Sequence, residues 1–476
     1  MTNTKAYKSV LTFLLMLALF GCKMPGTAVR TVNNSLPASY FNSQDTANPA
    51  RIDWKEYFTD PNLTALIDTA LKNNQELNIV LQEIEISKNE IRAKKGEYLP
   101  FVHIKGGTGL EKEARYTRNG AVDESIDIKP GTPFPHPLPD YGVGAYASWE
   151  LDVWKKLRNA KEAQAARYLS DIEGKNFLVT NLVAEIATSY YELMALDNLL
   201  EIVRKNIDIQ SNALQIIKQE KEAARVTQLA VNRFEAQLLN TENRQYTILQ
   251  QITETENRIN FLTGRFPRPV ERNSRNFTTL NTDSTVTGIP SLLLENRPDI
   301  RQAELQLAAA RLDVKVARAS FYPSFRIEAG TGFRAFNPAY LINPESILYS
   351  LAGDFVAPLI NRNAIKATYN SANARQIQAI YTYEETILNA YIEVLNQLSR
   401  INNSAESYRA KTRESEILAQ SVIISNNLFR SARADYMEVL LTQREALESR
   451  IELIEIKMNQ LGSKVAMYKV LGGGWN

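Results

Sequence analysis

Hydrophobic and polar positions follow two different periods along this chain, and the periods exchange twice. Four short segments alternate residue by residue. In 141–151 one side carries Tyr141, Val143, Ala145, Ala147, Trp149 and Leu151, and the other Gly142, Gly144, Tyr146, Ser148 and Glu150. Segment 321–333 sets Phe321, Pro323, Phe325, Ile327, Ala329, Thr331 and Phe333 against Ser324, Arg326 and Glu328. Segment 101–110 opposes Val102 and Ile104 to His103 and Lys105, and 349–359 shows the same trend more weakly through Tyr349, Leu351, Phe355 and Leu359. Period two predicts strands. A tilted strand of about 9–11 residues crosses a bilayer with an apolar lipid face and a polar lumen face. The same alternation also fits half-buried strands of a soluble sheet. Between and after these segments, apolar residues recur at spacings of three and four. Stretch 158–262 holds no proline and the single glycine Gly174, and 362–461 holds neither residue. That pattern predicts long antiparallel helical hairpins packed side by side, with arms of roughly 75 Å if each stretch folds at its middle.

The chain repeats itself. Pro100, Ile104 and Gly107-Thr108-Gly109 recur at a constant offset of 223 as Pro323, Ile327 and Gly330-Thr331-Gly332. The domain plan that follows is a leader at 1–21, an extension at 22–53, a first repeat at 54–264 with a strand hairpin in 99–151, and a second repeat at 290–476 with a strand hairpin in 321–359. The connection at 265–289, rich in Pro, Asn, Ser and Thr, reads as a linker. Loop 111–140 ends in five prolines within Pro130–Pro139, a stiff exposed run, and loop 334–348 is shorter. Four strands cannot close a membrane barrel, and open sheet edges are forbidden in lipid. If the strands span a membrane, the chain must assemble with copies of itself.

Composition narrows the chemistry. Lys plus Arg number 55 against 53 Asp plus Glu, so no basic surface argues for nucleic acid. One cysteine excludes disulfides within the chain and Cys-based metal clusters, and two histidines leave little for a metal site or an acid–base pair. Mean hydropathy of −0.29 argues against a bundle of membrane helices. No GxxxxGK[ST] loop is present, and Gly106-Gly107-Thr108-Gly109 lies in a strand segment. No catalytic cluster, metal site or cofactor site emerges, and an enzyme is the least favoured class.

Lys5 and Lys8 precede the apolar run Val10–Phe20, which is too short to span a bilayer and describes a secretory signal peptide. Cys22 lies at the expected cut. Leu19-Phe20-Gly21-Cys22 resembles the lipobox of bacterial lipoproteins, with Phe20 bulkier than the pattern prefers. The resemblance implies a lipid on the Cys22 thiol, and Lys23 after it favours sorting to the outer membrane.

Longer motifs are more specific. Ile289–Arg301, with Arg297-Pro298-Asp299-Ile300-Arg301, resembles the LPSxLLxxRPDIR signature of outer-membrane efflux lipoproteins. Ala317–Ser324 is similar to the ARAxFFPS that follows it, Trp149–Asn159 to WELDLFGxLRN, and Tyr468–Trp475 to the family's close. In order, these cover nearly the whole mature chain. It is identified as a member of the outer-membrane factor (TolC-like) family, in its NodT-type lipoprotein branch serving resistance–nodulation–division pumps. The resemblance implies a mixed α+β membrane protein: a homotrimer whose subunits each give four strands to one 12-stranded outer-membrane barrel, continued by a periplasmic helical tunnel. It implies a periplasmic adaptor, an inner-membrane transporter and outer-membrane lipids as partners, and passive passage of drugs, toxic compounds or metals.

The family closes its duct at the periplasmic helix tips. Arg433–Arg444 resembles the corresponding GxxDYLxVLxAQR stretch, with Ala432 in place of the glycine. Family members often carry acids at the positions of Glu438 and Leu441; only Glu438 keeps one here. Three Glu438 carboxylates near a trimer axis would repel one another. Met437 and Leu441, one turn apart, would instead form an apolar constriction. Asp435 and Arg444 are candidates for ties between neighbouring helices. Competing readings are a duct for secreted proteins on the same fold, and a periplasmic coiled-coil scaffold or adaptor lipoprotein.

Overall fold

The computed structural model describes residues 30–40, 52–280, 288–431 and 433–475; the predicted leader, Cys22 and Ala432 lie outside them. In chain order the first elements are α1 (Trp54–Tyr57), α2 (Pro61–Asn73), α3 (Gln75–Glu97), β1 (Phe101–Glu111), α4 (Arg118–Ser125), β2 (Asp127–Lys129), β3 (Thr132–Pro133) and β4 (Leu138–Leu151). Two helices follow, α5 (Lys156–Glu222) and α6 (Gln228–Leu262), and a 3-10 turn at Ser274–Thr279. The second half holds α7 (Leu292–Asn296), α8 (Pro298–Ala319), β5 (Ser324–Ala335), β6 (Ile347–Val356), α9 (Asn363–Arg430) and α10 (Tyr436–Val470). The chain divides into two compact units, and each draws on both sequence repeats.

Of the described residues, one unit comprises 30–31, Glu85–Leu169 and Leu305–Tyr381. Its centre is a four-stranded antiparallel sheet in the order β1-β4-β5-β6. Prolines set the strand limits more tightly than the alternation suggests. Pro100 directly precedes β1, Pro323 directly precedes β5, and Pro358 follows β6 by two residues. A proline has no N–H for the ladder, so Leu99, Phe321 and Leu359 fall outside the strands. Phe321 instead packs with Ala317, Tyr369 and Ala372 in a small buried cluster. Loop 111–140 is more ordered than its composition suggests: Thr117 caps α4 by accepting from the Gly120 N–H at 3.2 Å, and β2 pairs with β3.

Asp152 turns strand into helix. Its carboxylate accepts from the backbone N–H groups of Leu157 and Arg158, each at 2.9 Å, and from Arg158 Nε at 3.0 Å. Burial alone would raise the Asp152 pKa, but these bonds and the Arg158 charge hold it below the usual carboxylate range. Lys155 takes a left-handed φ of 56° in the turn, and Asn361 repeats that with 52° before α9. Trp154 stacks on Tyr322 at 4.7 Å and donates to the Pro323 carbonyl at 2.7 Å. These bonds explain why Trp149–Asn159 and Ala317–Ser324 are paired motifs: they tie the two strand ends together.

The other unit comprises Val32–Ile84, Ser170–Glu304 and Thr382–Asn476. Its main core gathers apolar seams of α2, α5, α6 and α10, including Ile67, Ile186, Tyr190, Val203, Ile259, Ile454 and Leu461. The predicted hairpins form, but their arms are unequal: α5 has 67 residues and α6 35, while α9 has 68 and α10 35. The first turn, 223–227, carries neither glycine nor proline. Ala224 enters the left-handed region with φ 56° and Arg225 N–H closes onto the Glu220 carbonyl at 2.9 Å. That breaks a helix where composition gives no signal.

Segment 265–280, within the stretch that reads as a linker or equatorial segment, is packed. Phe277 is fully buried. Arg272 donates to both Asp197 oxygens, at 2.6 and 2.8 Å, and to Glu256 at 2.5 Å. Burial would lower the Arg272 pKa, yet these two carboxylates raise it. The polar composition that suggests a linker serves this network instead.

Candidate functional site

The sheet's register sorts its side chains into two unlike faces. Trp149 pairs with Ile327, Ala147 with Ala329, Ala145 with Thr331 and Val143 with Phe333. Val102 and Ile104 join that face opposite Ala147 and Ala145, and Leu351, Tyr349 and Ile347 extend it. It carries no charge. Side chains there stand open, with Ile104, Tyr349 and Leu351 each about four-fifths exposed (80%, 85% and 79%). A contiguous apolar surface of that kind is rare on a soluble monomer. The opposite face is polar. Arg326 lies between Glu150 and Asp354, and Glu328 lies opposite Ser148. Arg334 clasps Asp140 with two bonds of 2.8 and 2.7 Å. His103 stacks between Phe101 and Tyr146 at 5.6 and 5.8 Å. β1 and β6 are the sheet's edges and offer their outer backbone groups to no strand of the described residues. No described helix is long and apolar enough to cross a membrane.

The second candidate region is the pair of hairpin tips. Asp435 caps α10 by accepting from the Met437 N–H at 3.4 Å. Within the chain its carboxylate therefore serves its own helix. Beyond it, α10 has one buried face and one free face. Tyr436 and Leu440 pack against a tip cluster of Leu214, Ile217, Ala230, Val231 and Phe234. Glu438, Leu441 and Arg444 point the other way and are exposed. Arg444 pairs with no carboxylate among the described residues. Met437 is half-buried, and its sulfur accepts from Arg233 Nη1 at 3.0 Å. Met437 thus ties one tip to the other while Leu441 stands free.

Arg233 escapes a reading by motif alone. A signal for it exists: Ala224-Arg225-Val226-Thr227 and Ala432-Arg433-Ala434-Asp435 share a pattern, and Thr227 and Asp435 both precede a helix. Aligning the two tips on it draws attention to the first turns of both α6 and α10.

The longest motif has an architectural part. Arg297 is buried, donating to Asp299 at 3.0 and 2.7 Å, to Glu393 at 2.7 Å and to the Val470 carbonyl at 3.0 Å. Burial would lower its pKa, but the bonds to Asp299 and the charges of Asp299 and Glu393 raise it. Gly472, at φ 93°, brings the C-terminal run beside Asn296, and Trp475 donates to the Gly472 carbonyl at 2.8 Å. The RPDIR signature and the closing glycines are two sides of one clasp. Among the described residues, no group of three or more His, Cys, Asp and Glu side chains is arranged to hold a metal ion.

Known proteins share this arrangement. The chain is 27% identical over 426 residues to the solvent efflux pump outer membrane protein SrpC of Pseudomonas putida, covering 89% of this chain and 87% of that one. It is 23% identical over 470 residues to the cation efflux system protein CusC of Escherichia coli, covering 98% and 99%. The open-state crystal structure of the Neisseria gonorrhoeae MtrE outer membrane channel matches with a TM-score of 0.82 at 20% identity, over 96% of this chain and 99% of that one. The family model described as outer membrane efflux protein matches residues 66–265 and 289–473. With its two-faced sheet, open strand edges and paired hairpins, the chain belongs to the outer membrane efflux protein family.

Proposed function

We propose that three copies of this chain close their sheets into one barrel and form the exit duct of a three-part efflux pump. The observation that carries this is the sheet with one wholly uncharged face and two unpaired edges. Strand directions alternate across β1-β4-β5-β6, so β6 of one copy meets β1 of the next as an antiparallel pair. Closure satisfies every edge group, each of which would cost several kcal/mol in hydrocarbon. Three sets of four strands give twelve. The apolar face turns to lipid and the charged face, with Arg326, Glu328 and the Arg334–Asp140 clasp, lines the lumen.

A periplasmic adaptor and an inner-membrane transporter of the resistance–nodulation–division type would supply cargo and energy, so the duct itself carries no catalytic step. Relatives are named for exporting solvents and cations. That spread fits a lumen that conducts small molecules with weak discrimination. Cys22 would carry a lipid that anchors the N-terminus to the outer membrane. Extraction of the protein from outer membranes in mild detergent is expected to yield a heat-resistant trimer; a monomer or dimer released by salt alone would sink the shared barrel.

The gate belongs at the tips. Glu438 and Leu441 share the free face of α10 and would approach the axis of a trimer, while Met437 is held by Arg233. Glu438 with Arg444, both exposed and uncommitted to seam packing, would bridge copies in the closed state. The E438A/R444A variant is expected to raise single-channel conductance in planar bilayers several-fold. Conductance equal to the parent would remove both residues from the gate.

A further inference from the structure

Segment 265–280 joins two features that no contact within the chain explains. It begins with a rigid, exposed aromatic. Phe266 is 92% exposed, yet the backbone around it is tightly held. Buried Asn260 donates to the Arg268 carbonyl at 2.8 Å and accepts from Arg265 Nε at 2.6 Å. Gly264, at φ 65°, sits where a Cβ would run into the Asn73 carbonyl, and Pro267 and Pro269 fix the chain beyond it. Leaving a large ring in water costs free energy, and a ring already held rigid loses little entropy when it docks. Burial and the neighbouring Arg268 charge keep the Arg265 pKa below its usual value, so this knuckle gains from a carboxylate beside it.

The segment ends at a cavity. The Leu280 carbonyl accepts from Lys457 Nζ at 2.7 Å, and a cavity of about 760 Å³ opens there between 278–280, α9 and α10. Ile401, Ala405 and Tyr408 form its apolar side, and Lys457 lies over the Tyr408 ring at 5.4 Å. Buried Gln460 also lines it, with a side-chain oxygen that has no partner among the described residues. Glu416, exposed, stands at the rim.

Knuckle and cavity lie at one level of the helical unit. Arg258, near the end of α6, reaches Glu185 and Glu192 of α5 at 3.3 and 3.8 Å. Glu192 in turn shares a groove with Asn459 and Ser463 of α10, next to Lys457 and Gln460. They also lie at opposite edges. The main core joins α5, α6 and α10 and takes no described residue of α9. On its far side α6 leaves Leu239, Tyr246 and Phe261 more than half exposed. The chain's connections agree with the sheet, since β6 runs into α9 and β1 is entered from α3. Asn74, just before α3, donates to the Leu262 carbonyl at the end of α6 at 2.9 Å.

We infer that Phe266 of one copy seats in the cavity of the next, so that 265–280 of three copies close into a belt round the helical tunnel. Complementary features at one level on opposite edges are what a head-to-tail contact needs to close a ring. The Phe266 ring meets Tyr408 and the Lys457 ammonium, and the paired guanidiniums of Arg265 and Arg268 come beside Glu416. The contact rests on the ring of three copies proposed above, and the two can fail separately.

Phe266→Cys combined with Ala405→Cys, treated with a short bis-maleimide, tests it on the trimer in mild detergent. The pair should give chains linked as dimers and trimers on denaturing gels, and neither single substitution should link copies. Phe266→Ala removes a side chain that touches little of its own chain, yet the trimer should dissociate about ten-fold faster. That measurement stands alone should the double variant fail to assemble. An assembled trimer without links between copies overturns the contact, and so does a Phe266→Ala trimer that dissociates at the parent rate. A Phe266→Cys thiol as open to maleimide in the trimer as in the dissociated chain also overturns it, and leaves the ring to a periplasmic partner. Failure of the parent chain to form a trimer strikes the shared barrel instead.

Discussion

Replacing Arg297 with leucine is expected to destabilise the folded chain by about 3–5 kcal/mol, the usual result of removing one member of a buried charge pair. The guanidinium donates to four acceptor atoms on three residues: both oxygens of Asp299, one of Glu393 and the Val470 carbonyl. Its side chain is 6% exposed, and that of Asp299 17%, so the abandoned carboxylate gains little from water. The bidentate fork matters as well as the charge, and Arg297→Lys should recover only part of the loss. Arg258 supplies the contrast. It contacts Glu185 and Glu192 with a side chain 55% exposed, and Arg258→Leu should cost no more than about 1 kcal/mol. Urea dissociation midpoints of the detergent-solubilised assembly would read all three. Equal midpoints for the Arg297 and Arg258 leucine variants would show that the clasp does not hold the helical unit together.

Gly332→Val should prevent the sheet from forming at all. Gly332 and Gly144 are register partners on adjacent strands. A Cβ on Gly332 would stand 2.5 Å from Gly144 Cα and against the Val143 carbonyl, while one on Gly144 would lie 2.8 Å from the Thr331 carbonyl. Both obstacles are backbone, so no side chain can move aside; the strands themselves must part. Gly330 adds a third close approach, with the Tyr146 ring 2.8 Å from its would-be Cβ. Gly142 is the control on the same strand pair, since its Cβ would meet nothing nearer than 3.8 Å. Outer-membrane fractions should contain trimer for Gly142→Ala and none for Gly332→Val. Wild-type amounts of heat-resistant Gly332→Val trimer would mean that the β4–β5 pairing is not what the register describes.

How far the sequence reveals these features depends on the range of the interaction. Alternation exposes both faces of the sheet, because period two is a local property and each strand carries its own record of which side meets lipid. The prolines at 100, 323 and 358 are local too, and they correct the strand ends. The helical hairpins are visible as breaker-free stretches, yet the turn at Ala224 is not, since alanine is a good helix former and only packing forces it out. Segment 265–280 hides its packing for a different reason. Its polar residues suggest a linker, but Arg272 meets Asp197 and Glu256 only after folding. At the tips, Asp435 is legible as a cap before an apolar run. Its bond to its own helix, and the Arg233–Met437 contact across 204 positions of sequence, are not. Arg297 stands inside a recognised signature, but a signature does not say whether it is kept for transport or for architecture; its buried partners do.

The unequal arms of the hairpins set a rule for how this molecule can change size. Where α5 runs beside α6, and α9 beside α10, contacts recur every seven residues, about 10.5 Å of rise. Adding seven residues to both arms of a hairpin lengthens it by one such step and returns each seam residue to its place. An addition far from a whole number of turns swings the apolar stripe away from its partner, and an addition to one arm alone leaves a bulge. Both hairpins must change together, because their tips share one cluster through Phe234, Phe429 and Tyr436. The reach of the helices is therefore quantised. A chain of this kind can lengthen only by matched insertions of near-whole turns, four insertions at a time.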